Sequence, residues 1–588
     1  MPGFYISNDK VMLPDCIKQK TTEDFLIDVM ENDKFCWARK TTDKFINDKL
    51  FYEDNNYIII TDGVIVNLKN LLIMYSAETL VDLIYKLLSL RKDFFSEFRG
   101  TFSGAVFIKE KDEWIVYTGP HGEHNIFYYE QGNKFYIGSE VTFLLDVINK
   151  RKYSLTLNER AVKFMLTYGY MADDSTYATE IKTLLPGHFL KIEREGGIVT
   201  EKYYELKKNT IDLSDRNEQE IIDELDDRFR KAVKLQFDKD IEYGYYHLAD
   251  LSGGLDSRMV NWVAREMGYK DILNINYCCS NHLDEIISKQ VAKKLGNDII
   301  LLPLDVGNFM FDIDETVREL GGLALYLGNT GCMRLLSNLN MKKYGIKHGG
   351  NLGDVVVGSF LQSERDEKNI KPEGMYSTKL TDLGADDISI RYKDQELYLM
   401  NVRGFMANCS CSVGILRNWT EMVSPFQNIE FLEYCMSIPV KLRAQHYIYN
   451  RWIQEKYPEA SIFVWAKTGV NIRKYSDAPI LCVGQKIKKK GIKAIRKIKR
   501  FIQNLSSNKV IFDDKFDMNP MEYWYSKNSN VKNFMDSYFE KNIDHRSLPE
   551  NLKRQISSLY HEGSAVEKGQ VMTVLSAIGL YFGNSEGE

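Results

Sequence analysis

The sequence lacks the features that mark membrane, secreted and zinc-finger proteins. It contains no run of about eighteen apolar residues, the length that a membrane-spanning helix needs, and the opening MPGFYISNDK lacks the basic and apolar regions of a signal peptide. The nine cysteines include no Cys-x-x-Cys pair for zinc or redox chemistry. A net charge of -5 provides no overall attraction to nucleic acid. These absences lead us to expect a cytoplasmic protein with no nucleic-acid partner.

The chain has enough apolar material for more than one domain. Its 588 residues are 44% hydrophobic and 12% aromatic, and a single core stops growing at about 250–300 residues. Up to about residue 205 the sequence shows short β-type runs, such as 57–61 (YIIIT), separated by turns and interrupted by helical stretches near 78–91 and 157–169. This pattern predicts an α+β domain with a layered antiparallel core.

From about residue 217 the pattern changes to apolar runs that alternate with helices. The predicted strands span 245–251, 272–277 and 299–302, and the predicted helices span 218–236, 257–267 and 284–295. Such alternation predicts a parallel, doubly wound sheet. Helical patterns fill 380–460 and most of 520–582. We therefore predict two domains, 1–208 and 209–588, with the parallel-sheet core at about 240–360.

The segment 251–257 (LSGGLDS) lies where the first of these strands gives way to a helix. Its two glycines allow a ligand to approach the backbone, and the N-terminus of the next helix offers unpaired N–H groups to an anion. Asp256 would repel bare phosphate, so we expect it to bind Mg²⁺. An ordinary strand-to-helix turn would explain one serine or glycine but not the whole string. The predicted anion-binding residues of this loop are Leu251, Ser252, Gly253, Gly254, Asp256 and Ser257, and the resemblance described next implies that they bind ATP and pyrophosphate.

The string SGGLDS is the signature of the pyrophosphatase-loop (PP-loop) synthetases, and within that group the chain resembles the asparagine synthetase family. Residues 348–358 (HGGNLGDVVVG) resemble the family's second motif, and 465–469 (WAKTG) resemble its late Lys-x-Gly segment. The resemblance implies that Asp256 and Asp354 share the magnesium of ATP, that Gly350 lies beside the nucleotide and that Lys467 is catalytic. It also implies an Ntn-hydrolase-like α+β sandwich followed by an α/β PP-loop domain with a helical C-terminal part. A solvated loop lysine is the alternative interpretation of Lys467.

The N-terminal half resembles the family's glutaminase domain but departs from it at three places. Pro2 stands where glutamine-dependent members have a nucleophilic cysteine. Asp62-Gly63-Val64 replaces the Asn-Gly-Glu that grips glutamine, and 118–122 (TGPHG) replaces an Arg-Asp-x-x-Gly string. These departures argue against glutamine hydrolysis. We expect this half to be an inactive relic or part of a substrate-binding wall.

The synthetase half also departs from the family, because Asn351 and Val355 replace the two acidic residues of its Gly-Glu-Gly-x-Asp-Glu motif. An intact ATP loop without the N-terminal cysteine is the combination found in β-lactam synthetases and lasso peptide macrolactam synthetases. The resemblance therefore predicts an AMP-forming ligase that adenylates a carboxylate of a peptide or other natural product and couples it to an amine. An implied partner is a protein or protease that delivers a precursor peptide.

Three other functions stay open at this point. One is an ammonia-dependent amidotransferase of the asparagine synthetase type, acting on aspartate or a sugar carboxylate. The others are a non-catalytic scaffold, which the intact Ser252 and Asp256 argue against, and a tRNA-modifying PP-loop enzyme, which would want a basic RNA-binding face.

Several residues outside the motifs have two interpretations. Asp284 and Glu285 match an acidic pair of the family, but helix capping is the favoured interpretation. His348 is expected to be structural. Arg417 and Glu421 resemble a segment that lines the substrate side of the family's site. Residues 486–500 (KIKKKGIKAIRKIKR) predict a basic amphipathic helix that either docks an acidic peptide, a partner subunit or an anionic membrane, or forms a solvated outer face.

Overall fold

The computed structural model describes residues 2–10, 12–18, 25–91, 93–193, 197–361, 376–380, 383, 392, 394–472 and 519–583. Within these ranges, no helix combines the length and the apolar character that crossing a membrane requires. The basic helix predicted at 486–500 lies outside the described residues.

Two six-stranded antiparallel sheets form the first half. The first has the order β10-β8-β9-β1-β3-β2 and the second β12-β11-β7-β6-β5-β4. Their strands are β1 (Gly3–Ser7), β2 (Leu26–Glu31), β3 (Cys36–Thr41), β4 (Phe51–Glu53), β5 (Tyr57–Ile65), β6 (Gly100–Ile108), β7 (Glu113–Thr118), β8 (Phe127–Gln131), β9 (Lys134–Gly138), β10 (Lys182–Thr183), β11 (His188–Ile192) and β12 (Ile198–Lys202).

The YIIIT run shows how one strand serves two layers. Ile58 and Ile60 point into the core between the two sheets, where they join Phe4 and Trp37 of the other sheet. Ile59 points the opposite way, toward the helices that cover the second sheet. Because successive side chains of a strand alternate between faces, a run of three isoleucines is buried on both sides.

Helices cover both outer faces of this pair of sheets. They are α1 (Asp15–Lys18), α2 (Leu68–Met74), α3 (Leu80–Leu90), α4 (Val141–Arg151) and α5 (Glu159–Tyr168). The layered antiparallel core and the helices predicted near 78–91 and 157–169 are therefore present. The sequence pattern did not predict α2 and α4.

The second half contains the predicted parallel sheet, in the order β15-β14-β13-β16-β17. The strands are β13 (Tyr246–Asp250), β14 (Ile272–Cys278), β15 (Asp298–Pro303), β16 (Tyr344–His348) and β17 (Met422–Val423). Leu248 and Ala249 of β13 belong to apolar clusters on opposite faces, so helices bury the sheet on both sides, as expected for a doubly wound fold. The strand β17 extends the sheet beyond the predicted core of 240–360.

The helices of this half begin with α6 (Glu218–Tyr243), which has a capping box of Asn217 and Glu220 and ends at Gly244 in the left-handed conformation. It is longer than the predicted 218–236. The others are α7 (Asp256–Glu266), α8 (Leu283–Leu295), α9 (Ile313–Glu319), α10 (Thr330–Leu336), α11 (Gln395–Leu399), α12 (Ser410–Gly414), α13 (Ile429–Ser437), α14 (Val440–Arg443), α15 (Tyr447–Lys456), α16 (Met521–Lys527), α17 (Ser529–Asn542), α18 (Glu550–Glu562) and α19 (Ala565–Phe582). The described residues of this half also include π-helical segments at Val355–Ser359 and Met400–Cys409 and a hairpin of β18 (Val464–Trp465) and β19 (Val470–Asn471).

One apolar cluster crosses the predicted boundary between the domains. Val162 of α5 and Tyr177 pack in the same core as Ala577 and Tyr581 of α19. The rings of Tyr177 and Tyr581 lie 5.6 Å apart. The C-terminal helices therefore cover the first half, and the boundary at 208/209 stays a prediction.

Candidate active site

A cavity of about 820 Å³ opens at the carboxyl end of β13, the edge at which open α/β sheets bind ligands. Eight of the nine residues predicted from the sequence line it: Leu251, Ser252, Gly254, Asp256, Ser257, Gly350, Asp354 and Lys467. They come from the loop after β13, the turn after β16 and the hairpin β18–β19. The fold thus brings together three segments that are about a hundred residues apart in sequence.

Gly253 is the exception, and its position differs from the expectation. Its backbone N–H donates to Oδ1 of Asp284 at 2.7 Å, so that group is already used inside the protein. The N–H of Gly254 donates to Oγ of Ser252 at 3.1 Å, and the hydroxyls of Ser252 and Ser257 lie 3.1 Å apart. A bound anion would have to exchange with the serine bond at Gly254, whereas Gly253 fixes the loop to the start of α8.

Close packing explains the glycines of the second motif. A Cβ atom on Gly350 would lie 2.6 Å from the backbone nitrogen of Ser257, and one on Gly353 would lie 2.5 Å from Cγ of Asp256. Real Cβ atoms do not make such contacts, so only glycine allows this turn to approach the loop. The approach places Asp354 beside Asp256.

Asp256 and Asp354 form a pair of neighbouring carboxylates. The hydroxyl of Tyr449 donates to Oδ1 of Asp256 at 2.8 Å, and the hydroxyl of Ser359 donates to Oδ2 of Asp354 at 2.5 Å. Burial, followed by the negative charge of Asp354, raises the pKa of Asp256 to about 7. Oxygen donors of this kind suit Mg²⁺, and a cation here would relieve the repulsion between them. The donor set therefore fits the magnesium site that was predicted.

Lys467 faces the same pair. Its Nζ lies 3.6 Å from Oδ2 of Asp354, although more than half of its side chain is exposed. The hairpin that carries it is fixed to the loop, because the N–H of Ala466 donates to the carbonyl oxygen of Gly253 at 3.1 Å. The buried guanidinium of Arg258 adds a bond of 2.6 Å to the carbonyl oxygen of Val464. The position of Lys467 is thus set by the loop, as a role in the site requires.

His446 completes this cluster and was not predicted from the sequence. Its Nε2 lies 3.3 Å from Nζ of Lys467 and 3.3 Å from Oγ of Ser359. Both Gln445 and His446 have positive φ angles, 57° and 61°, a strained arrangement that is typical of functional sites. Burial and then the charge of Lys467 lower the pKa of His446 to about 4, so the neutral ring can accept a hydrogen bond from the ammonium group. Neither His446 nor Tyr449 lies in a motif that would have revealed it.

The acidic pair at the start of α8 has divided roles. Glu285 accepts a hydrogen bond from the N–H of Asn281, as expected of a residue in the first turn of a helix. Asp284 is buried and holds the loop through Gly253, so capping does not describe it. The side chain of His282 caps the helix instead.

Arg417 and Glu421 do not line the cavity. Arg417 binds Oδ2 of Asp62 at 2.7 Å and Oε1 of Glu140 at 2.6 Å, both in the N-terminal half. Glu421 lies 2.9 Å from Nε2 of His124. These residues were expected to line the substrate side of the site. In the structure they instead form a buried polar network between the two halves.

His348 is buried and stacks on Phe237 with 3.8 Å between the ring centres. Its Nε2 lies 2.7 Å from Oδ2 of Asp240, and Nδ1 of His247 lies 2.8 Å from the same oxygen. These contacts join α6 to β13 and β16. They give His348 the structural role that was expected.

Comparison with known proteins adds an independent line of evidence. Residues 46–204 match the family model described as a glutamine amidotransferase domain. The chain is 23% identical over 279 residues to asparagine synthetase (glutamine-hydrolyzing) 1 of Bacillus subtilis, covering 46% of this chain and 42% of that protein. It is 27% identical over 231 residues to putative asparagine synthetase (glutamine-hydrolyzing) 2 of Methanocaldococcus jannaschii, covering 37% and 43%.

Among solved structures, the glutamine phosphoribosylpyrophosphate amidotransferase from B. subtilis, complexed with ADP and GMP, aligns with 12% identity and a TM-score of 0.25 over 52% of this chain and 91% of that chain. The chain spans less than half the length of the two curated relatives. Together, the matched amidotransferase domain and these two relatives show that parts of the chain are similar to proteins of the asparagine synthetase family.

Proposed function

We propose that the protein is an ATP-dependent ligase that adenylates a carboxylate, releases pyrophosphate and couples the acyl group to an amine. The observation that carries this proposal is the convergence of Asp256, Asp354 and Lys467 on one cavity beside the SGGLDS loop. A cavity of about 820 Å³ is within the range of about 300–1,000 Å³ that small-molecule sites occupy.

In the first step, a carboxylate oxygen of the substrate attacks the α-phosphorus of ATP. The bond from this phosphorus to the bridging oxygen breaks, and pyrophosphate leaves with the bonding electrons. The protein contributes mainly position and charge in such a transfer. Ser252, Gly254 and Ser257 would contact the departing phosphates through hydroxyl and N–H groups. Asp256 and Asp354 would hold Mg²⁺, which neutralises phosphate charge when bound.

In the second step, the amine nitrogen attacks the acyl carbon of the adenylate, the bond from this carbon to the phosphate oxygen breaks, AMP leaves with the bonding electrons, and the nitrogen releases a proton to the solvent. The tetrahedral intermediate carries negative charge on oxygen, and Lys467 is the cation that would stabilise it. Both His446 and Asp354 lie beside the ammonium group of Lys467, at 3.3 Å and 3.6 Å from its Nζ. A neutral imidazole at this place keeps the positive charge on the lysine.

The N-terminal half takes no part in glutamine hydrolysis in this proposal. Asp62 stands where the family has the asparagine that grips glutamine, and its carboxylate is engaged by Arg417 and by the hydroxyl of Thr41 at 2.7 Å. We propose a peptide or other natural product as the carboxylate substrate, with macrolactam formation as the reaction, a partner protein or protease that supplies the precursor, and the cytoplasm as the location. Asn351 supports a peptide substrate over ammonia, because it stands where the family has an acidic residue. Its amide donates a hydrogen bond of 2.9 Å to Oδ1 of Asn408.

The test is product analysis with ATP and Mg²⁺ in the presence of linear peptides that contain Asp or Glu, or of aspartate and ammonium. We expect AMP and pyrophosphate with peptides, and strongly reduced formation of both in Asp256→Asn and Asp354→Asn. Asp227→Asn is the matched control, since this aspartate lies on α6 with about half of its side chain exposed and pairs with Lys231. Formation of ADP and phosphate instead of AMP would contradict the proposal.

A further inference from the structure

A second cavity, of about 320 Å³, adjoins the first. Leu327, Gly328 and Asn519 line both, so the two spaces meet along a common wall. A hydrogen bond of 2.9 Å also joins Asn351, which lines the first cavity, to Asn408, which lines the second. The two cavities are therefore direct neighbours.

The described walls of this side cavity are mainly apolar and aromatic. They include the side chains of Tyr168, Tyr170, Phe309, Leu325, Met521 and Val566. Gly169, between the two tyrosines, has a φ of 77°, and a Cβ there would lie 2.8 Å from the ring of Tyr376. A glycine at this position thus lets three aromatic rings gather at one place.

Arg403 is the charged side chain among the described wall residues. Its guanidinium lies over the ring of Phe360, 5.8 Å from the ring centre, which is within the limit of about 6 Å for such a contact. A guanidinium beside an apolar space is suited to bind a carbonyl or carboxylate oxygen of a ligand whose side chain fills that space.

We infer that the side cavity is the specificity pocket for the carboxylate substrate, and that it receives a bulky apolar or aromatic side chain close to the reacting carboxyl group. This inference rests on the proposed function. Free aspartate and sugar acids have no such side chain, and the apolar wall of the side cavity would stay exposed to water when they bind. A peptide residue such as phenylalanine would remove that wall from water and gain the corresponding transfer free energy.

The experiment uses the full chain with Mg²⁺ and the non-hydrolysable α,β-methylene ATP. Binding of N-acetyl-L-phenylalanine, L-aspartate and D-glucuronate is measured by saturation-transfer NMR and titration calorimetry. We expect the phenylalanine probe to bind at least about 10-fold more tightly than the other two, the order of magnitude that an apolar pocket provides. Saturation should reach the phenyl ring most strongly.

Val566→Trp places a large side chain in the pocket, and Val199→Trp is its matched control on the exposed surface of β12. We expect Val566→Trp to weaken binding of the phenylalanine probe by about 10-fold or more, with binding of the nucleotide analogue unchanged in both variants. Nucleotide binding also reports that each variant is folded. Arg403→Gln should also weaken binding of the phenylalanine probe, but without filling the pocket.

The results separate this inference from the proposed function. If the wild-type protein does not bind the nucleotide analogue, the proposed function itself fails. If it binds the analogue but binds aspartate or glucuronate better than the phenylalanine probe, only the specificity pocket is refuted. Equal binding of the phenylalanine probe to Val566→Trp and Val199→Trp would refute it as well.

Discussion

Buried aspartates occur in both halves of the molecule, and their surroundings have opposite effects. Burial alone would raise the pKa of Asp62, but the charges of Lys49 and Arg417 outweigh it and lower the pKa. In the cavity, burial and the neighbouring Asp354 raise the pKa of Asp256 to about 7. The protein thus supplies the counter-charge for Asp62 itself, whereas the pair around Asp256 is suited to a counter-charge from a ligand.

The difference shows that one fold can hold buried carboxyl groups in two ways. In the N-terminal half, the guanidinium of Arg417 from the second half binds Asp62 and Glu140 and makes them part of an interface. In the synthetase half, glycine packing keeps two carboxylates close to each other beside open space. The first arrangement contributes stability, and the second is available for chemistry.

The largest expected effect comes from breaking the interface network. In Arg417→Met, Asp62 loses its guanidinium partner while remaining buried, and breaking a buried ion pair in this way costs about 3–5 kcal/mol of unfolding free energy. Thermal and denaturant unfolding would measure the loss. Arg546→Met, at an exposed position, is the control and should change stability by less than about 0.5 kcal/mol. Equal stability of the two variants would show that the network does not hold the halves together.

A smaller effect, on activity, is expected from Lys467→Ala. Loss of one electrostatic contact to a developing oxyanion costs about 2.7–4 kcal/mol, or about 10²–10³-fold in the rate of AMP formation. Stability should hardly change, because more than half of the Lys467 side chain is exposed. Lys231→Ala, at a lysine that is 72% exposed on α6, is the control. A lysine that is merely solvated would give the same rate in both variants.

A further expected effect concerns Glu140 and depends on pH. Burial raises the pKa of Glu140 from 4.5 to about 8, although Arg417 lies beside it. Above pH 4.5 the carboxyl group ionises in the unfolded chain but stays protonated in the folded protein. This group therefore lowers the free energy of unfolding as pH rises from about 4.5 to about 8.

Glu140→Gln removes this ionisation and keeps the shape of the side chain. We expect the variant to match the parent near pH 4.5 and to become more stable than the parent toward pH 8, as measured by unfolding across that range. Asp62→Asn should behave differently at neutral pH, because the lowered pKa of Asp62 means that its ionised form stabilises the folded state. A pH-independent difference for Glu140→Gln would contradict the assignment of a protonated Glu140.

The parts of the site that could be predicted from the sequence are those that local rules determine. Strand β13, the glycine loop and α7 follow one another within about twenty residues, so their pattern is readable. Asp354 and Lys467 were found through motif resemblance, and both line the cavity at the end of β13. Their roles stay predictions.

The remaining contacts depend on tertiary packing that no local pattern records. Arg417 and Asp62 are 355 positions apart. His446 reaches the site because Gln445 and His446 itself both adopt the left-handed backbone conformation. Asp284 has the position of a capping residue, and only the folded structure shows that it binds Gly253 instead. For the same reason, the side cavity could not be predicted, since its wall combines α5, α16, α19 and a π-helical segment.

The packing of α19 against α5 has a consequence for the order of events during synthesis. Ala577 and Tyr581 belong to the same core as Val162 and Tyr177, which the ribosome makes some four hundred residues earlier. The first two sheets can form early, but the apolar surface around α5 stays exposed until α19 has been synthesised and packs against it. Chaperones that shield exposed apolar surface would therefore be needed longest at that surface, and expression of 1–208 alone would leave it permanently uncovered.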